Sequence, residues 1–260
     1  MKVLLINGSP RAKGNTAYAL CQMAEVFASQ GIETQTIQVG NQDIRGCVAC
    51  GGCAKTGKCV FDDAVNQTAE AFREADGLVL ASPVYYASAN ATLAAFADRL
   101  FHSTRFDKRM KVGASVVVAR RGGCSATFDE LNKYFTISGM PVASSRYWNS
   151  VHGGIPGEAA QDLEGIATVR ELAKNMAFLM KSITLGKEQF GLPEPEPAAH
   201  TTSSDKETTM LCTITEINGD YATVRYHSTG VTSQVAMFLL PEGADVGDVL
   251  KFENFEYERV

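Results

Sequence analysis

Four cysteines fall within thirteen residues: Cys47, Cys50, Cys53 and Cys59. Thiolates at this spacing can surround one iron–sulfur cluster or one zinc ion, and Gly46, Gly51, Gly52 and Gly57 supply the turns that bring them round. A thiol-rich loop that binds nothing is the third alternative. A second group of chemically useful residues stands near the start, in Gly8-Ser9-Pro10-Arg11-Ala12-Lys13-Gly14-Asn15-Thr16. A small, hydroxyl-rich loop that runs from a strand into a helix is an anion site. Its N–H groups converge, the helix dipole favours negative charge, and Ser9, Asn15 and Thr16 add donors while Arg11 adds a countercharge. There is no Gly-Lys-Ser/Thr phosphate loop and no GxGxxG, so neither a nucleoside triphosphate nor a classical dinucleotide is indicated.

Two further loops carry ring-binding features. Ser82-Pro83-Val84-Tyr85-Tyr86-Ala87 combines an extended X-Pro step with two aromatics that could flank a planar ring. Arg120-Arg121-Gly122-Gly123-Cys124 has glycines that let backbone approach a ligand. Cys124 also precedes a helix, a place that can activate a thiol. Cys21 and Cys212 fall on apolar faces and read as packing thiols. The basic run Arg105, Lys108, Arg109 and Lys111 reads first as a solvated loop. Tyr147-Trp148-Asn149 and His152-Gly153-Gly154 follow a strand and belong either to the ligand end of a sheet or to a subunit contact.

The elements that must position these loops alternate. Strands are expected over 2–7, 32–39, 77–81, 111–119 and 142–148. Helices are expected over 15–30, 62–75, 90–101 and 160–185, with one more opening at the apparent capping box Thr127-Phe128-Asp129-Glu130. Five strands alternating with helices make a doubly wound α/β fold, a parallel sheet covered on both faces, in the usual order 2-1-3-4-5. Ligands in such folds bind beyond the carboxyl ends of the strands, where all three candidate loops fall. Residues 1–190 thus form one domain containing the Cys-rich loop 46–60. Residues 191–209, with Pro-Glu-Pro-Glu-Pro and then Thr-Thr-Ser-Ser, read as a linker. Residues 210–260 switch to period two, with strands over 212–217, 221–226, 232–239 and 249–252 and a hairpin signal at Asn218-Gly219-Asp220, which makes a small β-barrel.

Composition excludes several classes. The 260 residues are 45% hydrophobic and 20% charged, an ordinary globular mix rather than a disordered or coiled-coil one. Residues 1–190 carry 20 basic against 17 acidic side chains, whereas residues 210–260 carry three against eight. Neither part has the basic face of a nucleic-acid binder. The uncharged run 77–97 contains Pro83, two tyrosines and Asn90 and changes period, so it reads as strand, loop and helix rather than a membrane span. With no signal-peptide pattern at the start, a cytoplasmic location is expected, where cysteines serve as thiols or metal ligands rather than disulfides.

The loops Ser9-Pro10-Arg11…Gly14-Asn15-Thr16 and Ser82-Pro83-Val84-Tyr85-Tyr86, with the segment ending Ala95-Phe96-Ala97-Asp98-Arg99, resemble the flavodoxin-like NAD(P)H-dependent FMN reductase superfamily. The resemblance covers about residues 1–190. It implies that the first loop holds the FMN phosphate. It also implies that the second, through Ala87, lies along the ribityl chain and ring, and that Arg120, Gly122 and Gly123 close over the flavin. It implies no side-chain catalyst, because the ring carries the chemistry. The compact cysteine motif further resembles that of the iron–sulfur flavoproteins, although its fourth cysteine lies later than in a bacterial ferredoxin run and no proline follows. That resemblance implies a [4Fe–4S] cluster on the four cysteines, a homodimer or homotetramer, and electron supply by NAD(P)H or a ferredoxin-type donor. An FMN or quinone reductase without a cluster is the rival expectation.

The segment 213–250 resembles the small β-barrel of hydrogenase-maturation chaperones, but lacks their N-terminal Met-Cys. This leaves docking on a sister subunit, a redox partner or a metalloenzyme as the role of the barrel.

Overall fold

The computed structural model describes residues 1–196, 210–253 and 256–260. Two compact units divide the chain, Met1–Leu192 and Pro193–Val260. Residues 197–209 of the expected linker lie outside the described residues.

The first unit opens with β1 (Lys2–Asn7), α1 (Asn15–Ser29) and β2 (Glu33–Gln38), followed by α2 (Gly52–Thr56) inside the Cys-rich loop and α3 (Ala64–Glu74). Then come β3 (Gly77–Tyr85), the short β4 (Ser88–Ala89), α4 (Ala91–Ser103), β5 (Val112–Ala119), α5 (Cys124–Ile137), β6 (Ser150–His152) and α6 (Leu163–Phe190). The sheet order is β2-β1-β3-β5-β6, all parallel, with β4 folded back antiparallel on β3. This is the doubly wound order, and it puts the ends of β1, β3 and β5 side by side.

Burial explains the strand sequences. β5 is buried at all eight positions, which is why it reads as a continuous apolar run. β2 lies at the sheet edge and is only partly buried, so its polar residues are tolerated. One face of the sheet is covered by α1 and α6 through Phe27, Leu172 and Met176. The other is covered by α3, α4 and α5 through Phe72, Phe96 and Phe135. Each fully buried side chain of this size contributes roughly 1.5–3 kcal/mol relative to exposure.

Two expectations change. The strand expected over 142–148 is largely irregular: Val142 makes a single bridge to Gly113, and regular pairing begins at Ser150. Backbone bonds from Gly113 N to Pro141 O and from Ala143 N to Gly113 O (both 2.8 Å) tie its start to β5, and Asn149 ties its end through both side chain and backbone. Asn149 donates to Ser115 O (3.0 Å) and its own carbonyl accepts from Val117 N (3.0 Å), while Ser145 Oγ bonds to Asn149 Oδ1 (2.6 Å). The helix expected to open at Thr127 instead opens at Cys124 behind a left-handed Gly123, so the Thr127…Glu130 pattern is not a cap. Thr127 Oγ1 donates to Gly123 O, and Glu130 is free to hold β4.

The second unit is a barrel-like antiparallel sheet of β7 (Met210–Asn218), β8 (Tyr221–Tyr226), β9 (Thr232–Ala236), β10 (Val249–Glu253) and β11 (Glu256–Arg259), in the order β11-β10-β7-β8-β9. Its core is Cys212, Ile214, Val224 and Leu250 with smaller neighbours. The strand expected to run to 239 stops at Ala236, where a 3-10 turn over Met237–Leu239 leaves Phe238 and Leu239 exposed. Among the described residues no helix is long and apolar enough to cross a membrane.

Candidate functional site

The loop after β1 is fixed by buried amides. Asn7, 1% exposed, accepts from Ser9 N (3.0 Å) and donates to Gln38 Oε1 (2.7 Å), and Gly8 N donates to Ala81 O across the sheet (2.8 Å). Ser9 Oγ accepts from Arg11 N (3.2 Å), which curls the loop toward α1. No side chain caps α1 at Gly14. The first-turn N–H groups of α1 therefore stand at an open groove of about 160 Å³, the arrangement that receives an anion.

That groove gathers Ser9, Arg11, Gly14, Asn15 and Thr16 from the first loop, Pro83, Val84 and Tyr85 from the second, and Arg120 from the third. Tyr86, Ala87, Gly122 and Gly123 do not line it. Tyr86 and Ala87 form the two-residue turn between β3 and β4, both at positive φ (50° and 59°), a conformation that hairpins of this length require and that glycine and asparagine usually supply. Each costs of order 1–3 kcal/mol at a non-glycine residue. The turn is held by Glu130, whose Oε2 accepts from Ser88 Oγ and Ala89 N, both at 2.8 Å. It is also held by contact with Gly123, where a Cβ would stand 2.9 Å from Ala87 Cα. The structure thus gives Gly123 a packing role behind the second loop. Gly122 is exposed with open space around it.

The groove's far wall is Val118, Ala119, Gly153, Gly154 and Pro156. Of these, Gly153 and Gly154 stand at the ligand end of the sheet, one of the two places expected for them, and Pro156 carried no signal in the sequence. Asn15 builds this wall. Its Nδ2 donates to Ile155 O (2.9 Å), and its Oδ1 accepts from Gly157 N (3.0 Å) and Ala159 N (3.3 Å). A Cβ on Gly153 would stand 2.6 Å from Asn15 Nδ2, so a glycine is required there. The Asn15 side chain is therefore committed to the 155–159 segment, and what it can offer an anion is its backbone N–H. Glu158 closes the same segment, and the N–H groups of Ile155 and Gly154 hold its carboxyl below the usual range. A larger depression, of about 620 Å³, lies near Asp76, Lys111 and Lys187, at the amino ends of β3 and β5 and away from these loops.

Beside the groove, Cys124 Sγ stands 3.9 Å from His152 Nε2, and His152 Nδ1 stands 3.5 Å from Asp162 Oδ2. Burial pushes the Cys124 thiol up, away from the thiolate.

Cys47, Cys50, Cys53 and Cys59 all line a second, separate cavity, a narrow one of about 20 Å³. Cys53 is buried, Cys59 is half-buried, and Cys47 and Cys50 are exposed. Left-handed glycines at 51 and 57 bracket α2 and turn the chain round it. Asn66 fixes the last cysteine, accepting from Cys59 N (3.0 Å) and donating to Cys59 O (2.9 Å) and Phe61 O (3.1 Å). Arg99 reaches the cavity from α4 with only 1% exposure. Burial opposes its charge, but hydrogen bonds to Asp63 and Cys59 outweigh that and hold its pKa above the ordinary value. Arg99 and Asp63 were not singled out as site residues from the sequence. The available signal was a charge in phase with Phe96 and Ser103 on the buried stripe of α4. Among the described residues no three His, Cys, Asp or Glu side chains gather closely enough for a single metal ion.

Known proteins resemble this chain in both respects. Residues 1–154 match the family model "NADPH-dependent FMN reductase". An iron–sulfur flavoprotein of Methanocaldococcus jannaschii is 35% identical over 191 residues, covering 70% of this chain and 99% of that protein. Another, of Methanosarcina thermophila, is 34% identical over 194 residues, covering 73% and 100%. The same fold occurs in a crystal structure of RosB with bound 8-demethyl-8-formylriboflavin-5'-phosphate, at TM-score 0.58 and 16% identity over 78% of this chain and 93% of that one. It occurs again in an NAD(P)H:quinone oxidoreductase from Methanothermobacter marburgensis, at TM-score 0.52 and 15% identity over 68% and 96%.

Proposed function

Because the chain belongs to the NADPH-dependent FMN reductase family, within its iron–sulfur flavoprotein branch, we propose that it exchanges electrons between FMN in the strand-end groove and a [4Fe–4S] cluster on Cys47, Cys50, Cys53 and Cys59. It is a flavin-dependent oxidoreductase. The observation that carries the fuller assignment is the convergence of all four cysteines on one cavity.

Bound FMN supplies hydride and electron transfer through its ring, with no side-chain acid or base required. The chain's own residues bind and orient it. The uncapped N–H groups at Asn15 and Thr16 and the Arg11 guanidinium receive the phosphate. Pro83, Val84 and Tyr85 flank the ribityl chain and ring on one side, and Arg120 with Gly153 and Gly154 bounds the other. The strained Tyr86-Ala87 turn, braced by Glu130 and Gly123, keeps Tyr85 in place.

At the second site the donor set fits a cluster. Four thiolates are the donors of iron–sulfur and of zinc sites alike, and the iron–sulfur flavoprotein relatives favour the cluster. A cluster there supplies one-electron transfer.

A homodimer or homotetramer and a ferredoxin-type donor complete the proposal. The exposed, adjacent Tyr147 and Trp148 rings and the basic balance of residues 1–190 support them. Purification without oxygen, followed by flavin, iron and sulfide analysis, tests the assignment. FMN with about four iron and four sulfide per chain is expected. FMN with neither would leave a reductase without a cluster, and steady-state NADPH oxidation would then identify its donor.

A further inference from the structure

Arginine carries five N–H donors in a fixed fork, and in a buried site each needs a partner. Arg99 uses all five. Nη1 donates to Asp63 Oδ2 (2.6 Å) and Arg45 O (3.2 Å), and Nη2 to Asp63 Oδ1 (3.0 Å) and Phe61 O (3.3 Å). The remaining donor, Nε–H, goes to Cys59 Sγ at 3.3 Å. Four of the five bonds hold the loop in shape. The fifth ends on one of the four sulfurs and brings a fixed positive charge against it.

The other cysteines are treated differently. Cys47 Sγ receives only a neutral donor, Ala49 N, at 3.5 Å. Cys47 and Cys50 face solvent. A neutral thiol is a weak acceptor, whereas a cluster-bound thiolate is a strong one. An ionic donor buried on a single sulfur is therefore asymmetric in charge as well as in geometry.

We propose that Arg99 is a positioning residue that raises the reduction potential of the cluster through its Nε–H bond to Cys59, with Asp63 setting the size of the effect from behind. The proposal rests on the cluster assignment made above. Reduction adds one electron to the cluster and no proton to Cys59. The added negative charge spreads onto the ligand sulfurs, and hydrogen bonds to those sulfurs stabilise it. The Asp63 carboxylate, paired with the same guanidinium, partly cancels the charge that the cluster feels.

The two partners therefore have opposite signs, which a purely structural role does not. Asp63→Asn keeps an N-cap side chain on α3, since asparagine caps as well as aspartate, and leaves Arg99 more positive. Arg99→Gln removes the charge, and Arg99→Lys keeps the charge but loses the fork.

The experiment is a mediator-coupled redox titration of the anaerobically purified full chain, followed by electron paramagnetic resonance, after iron and sulfide analysis of each variant. At a fixed potential Arg99→Gln should lower the reduced-to-oxidised ratio roughly tenfold, about 59 mV for one electron. Arg99→Lys should fall between, and Asp63→Asn should move the midpoint upward. If Arg99→Gln fails to load iron, Arg99→Lys and Asp63→Asn still decide the matter. Loaded variants that titrate with the wild type, or a downward shift in Asp63→Asn, would overturn the inference and leave the cluster assignment intact. Wild-type protein with no iron would overturn the assignment itself.

Discussion

The groove at the strand ends and the cavity of thiols are built by opposite means. Backbone faces the ligand in the first, through uncapped N–H groups and glycines where a Cβ would collide, with Asn7, Asn15 and Glu130 bracing it from behind. It rests on a sheet whose strand β5 is buried at every position. Side chains make the second. Its loop has one five-residue helix, and its shape is held by Asn66, Asp63 and a buried Arg99. A site made of backbone is shaped before its ligand arrives, whereas a site made of thiols on a loop is completed by the group it holds.

Substitutions should therefore separate the two. The largest effect is expected from Cys50→Ser, which removes a ligand. Iron should fall from about four per chain to near zero while the flavin stays bound, so iron and flavin analysis of one sample reads both. Equal loss of flavin would break the comparison. Gly123→Val comes next. At φ +91 with Ala87 2.9 Å away, a side chain must displace the turn, at a cost of about 1–3 kcal/mol. FMN affinity by fluorescence quenching should weaken on the order of tenfold or more, with iron unchanged. Arg11→Ala removes one exposed cation from the phosphate loop and should weaken FMN by a few-fold, about 1 kcal/mol, an effect that added salt reduces. Asn15→Ala leaves the N–H donors of α1 in place but frees residues 155–159. It should cost about 1 kcal/mol of stability in denaturant melts and leave iron untouched. Smallest of all is removal of residues 193–260, which form their own compact unit. FMN affinity and iron content should both stay as they are.

The two sites also differed in how far the sequence revealed them. Local signals carry the first: an apolar run, a hydroxyl-rich loop and a helix period identify β1, its loop and α1. The groove's far wall was legible only in part: Gly153 and Gly154 follow a strand, but their support by Asn15 forms only after about 140 intervening residues fold. Asn149 ties the irregular segment before β6 to β5 through its side chain as well as its backbone, which no apolar pattern announces. The Thr127…Glu130 pattern misled because Glu130 serves β4 rather than a helix start. At the second site the four cysteines were plain from spacing alone. Their support was not, since Asp63, Asn66 and Arg99 act across loops and carry no motif of their own.

The unequal burial of the four thiols sets the order in which a reagent from solvent meets them. Cys53 and Cys59 are sheltered, and Cys59 is clamped at both its N–H and its carbonyl, so half of the ligand set waits in place. Cys47 and Cys50 stand in solvent, where a thiol reagent reaches them first. In metal-free protein a brief exposure to iodoacetamide should mark Cys47 and Cys50 well before Cys53, and that head start should disappear once the cluster is rebuilt.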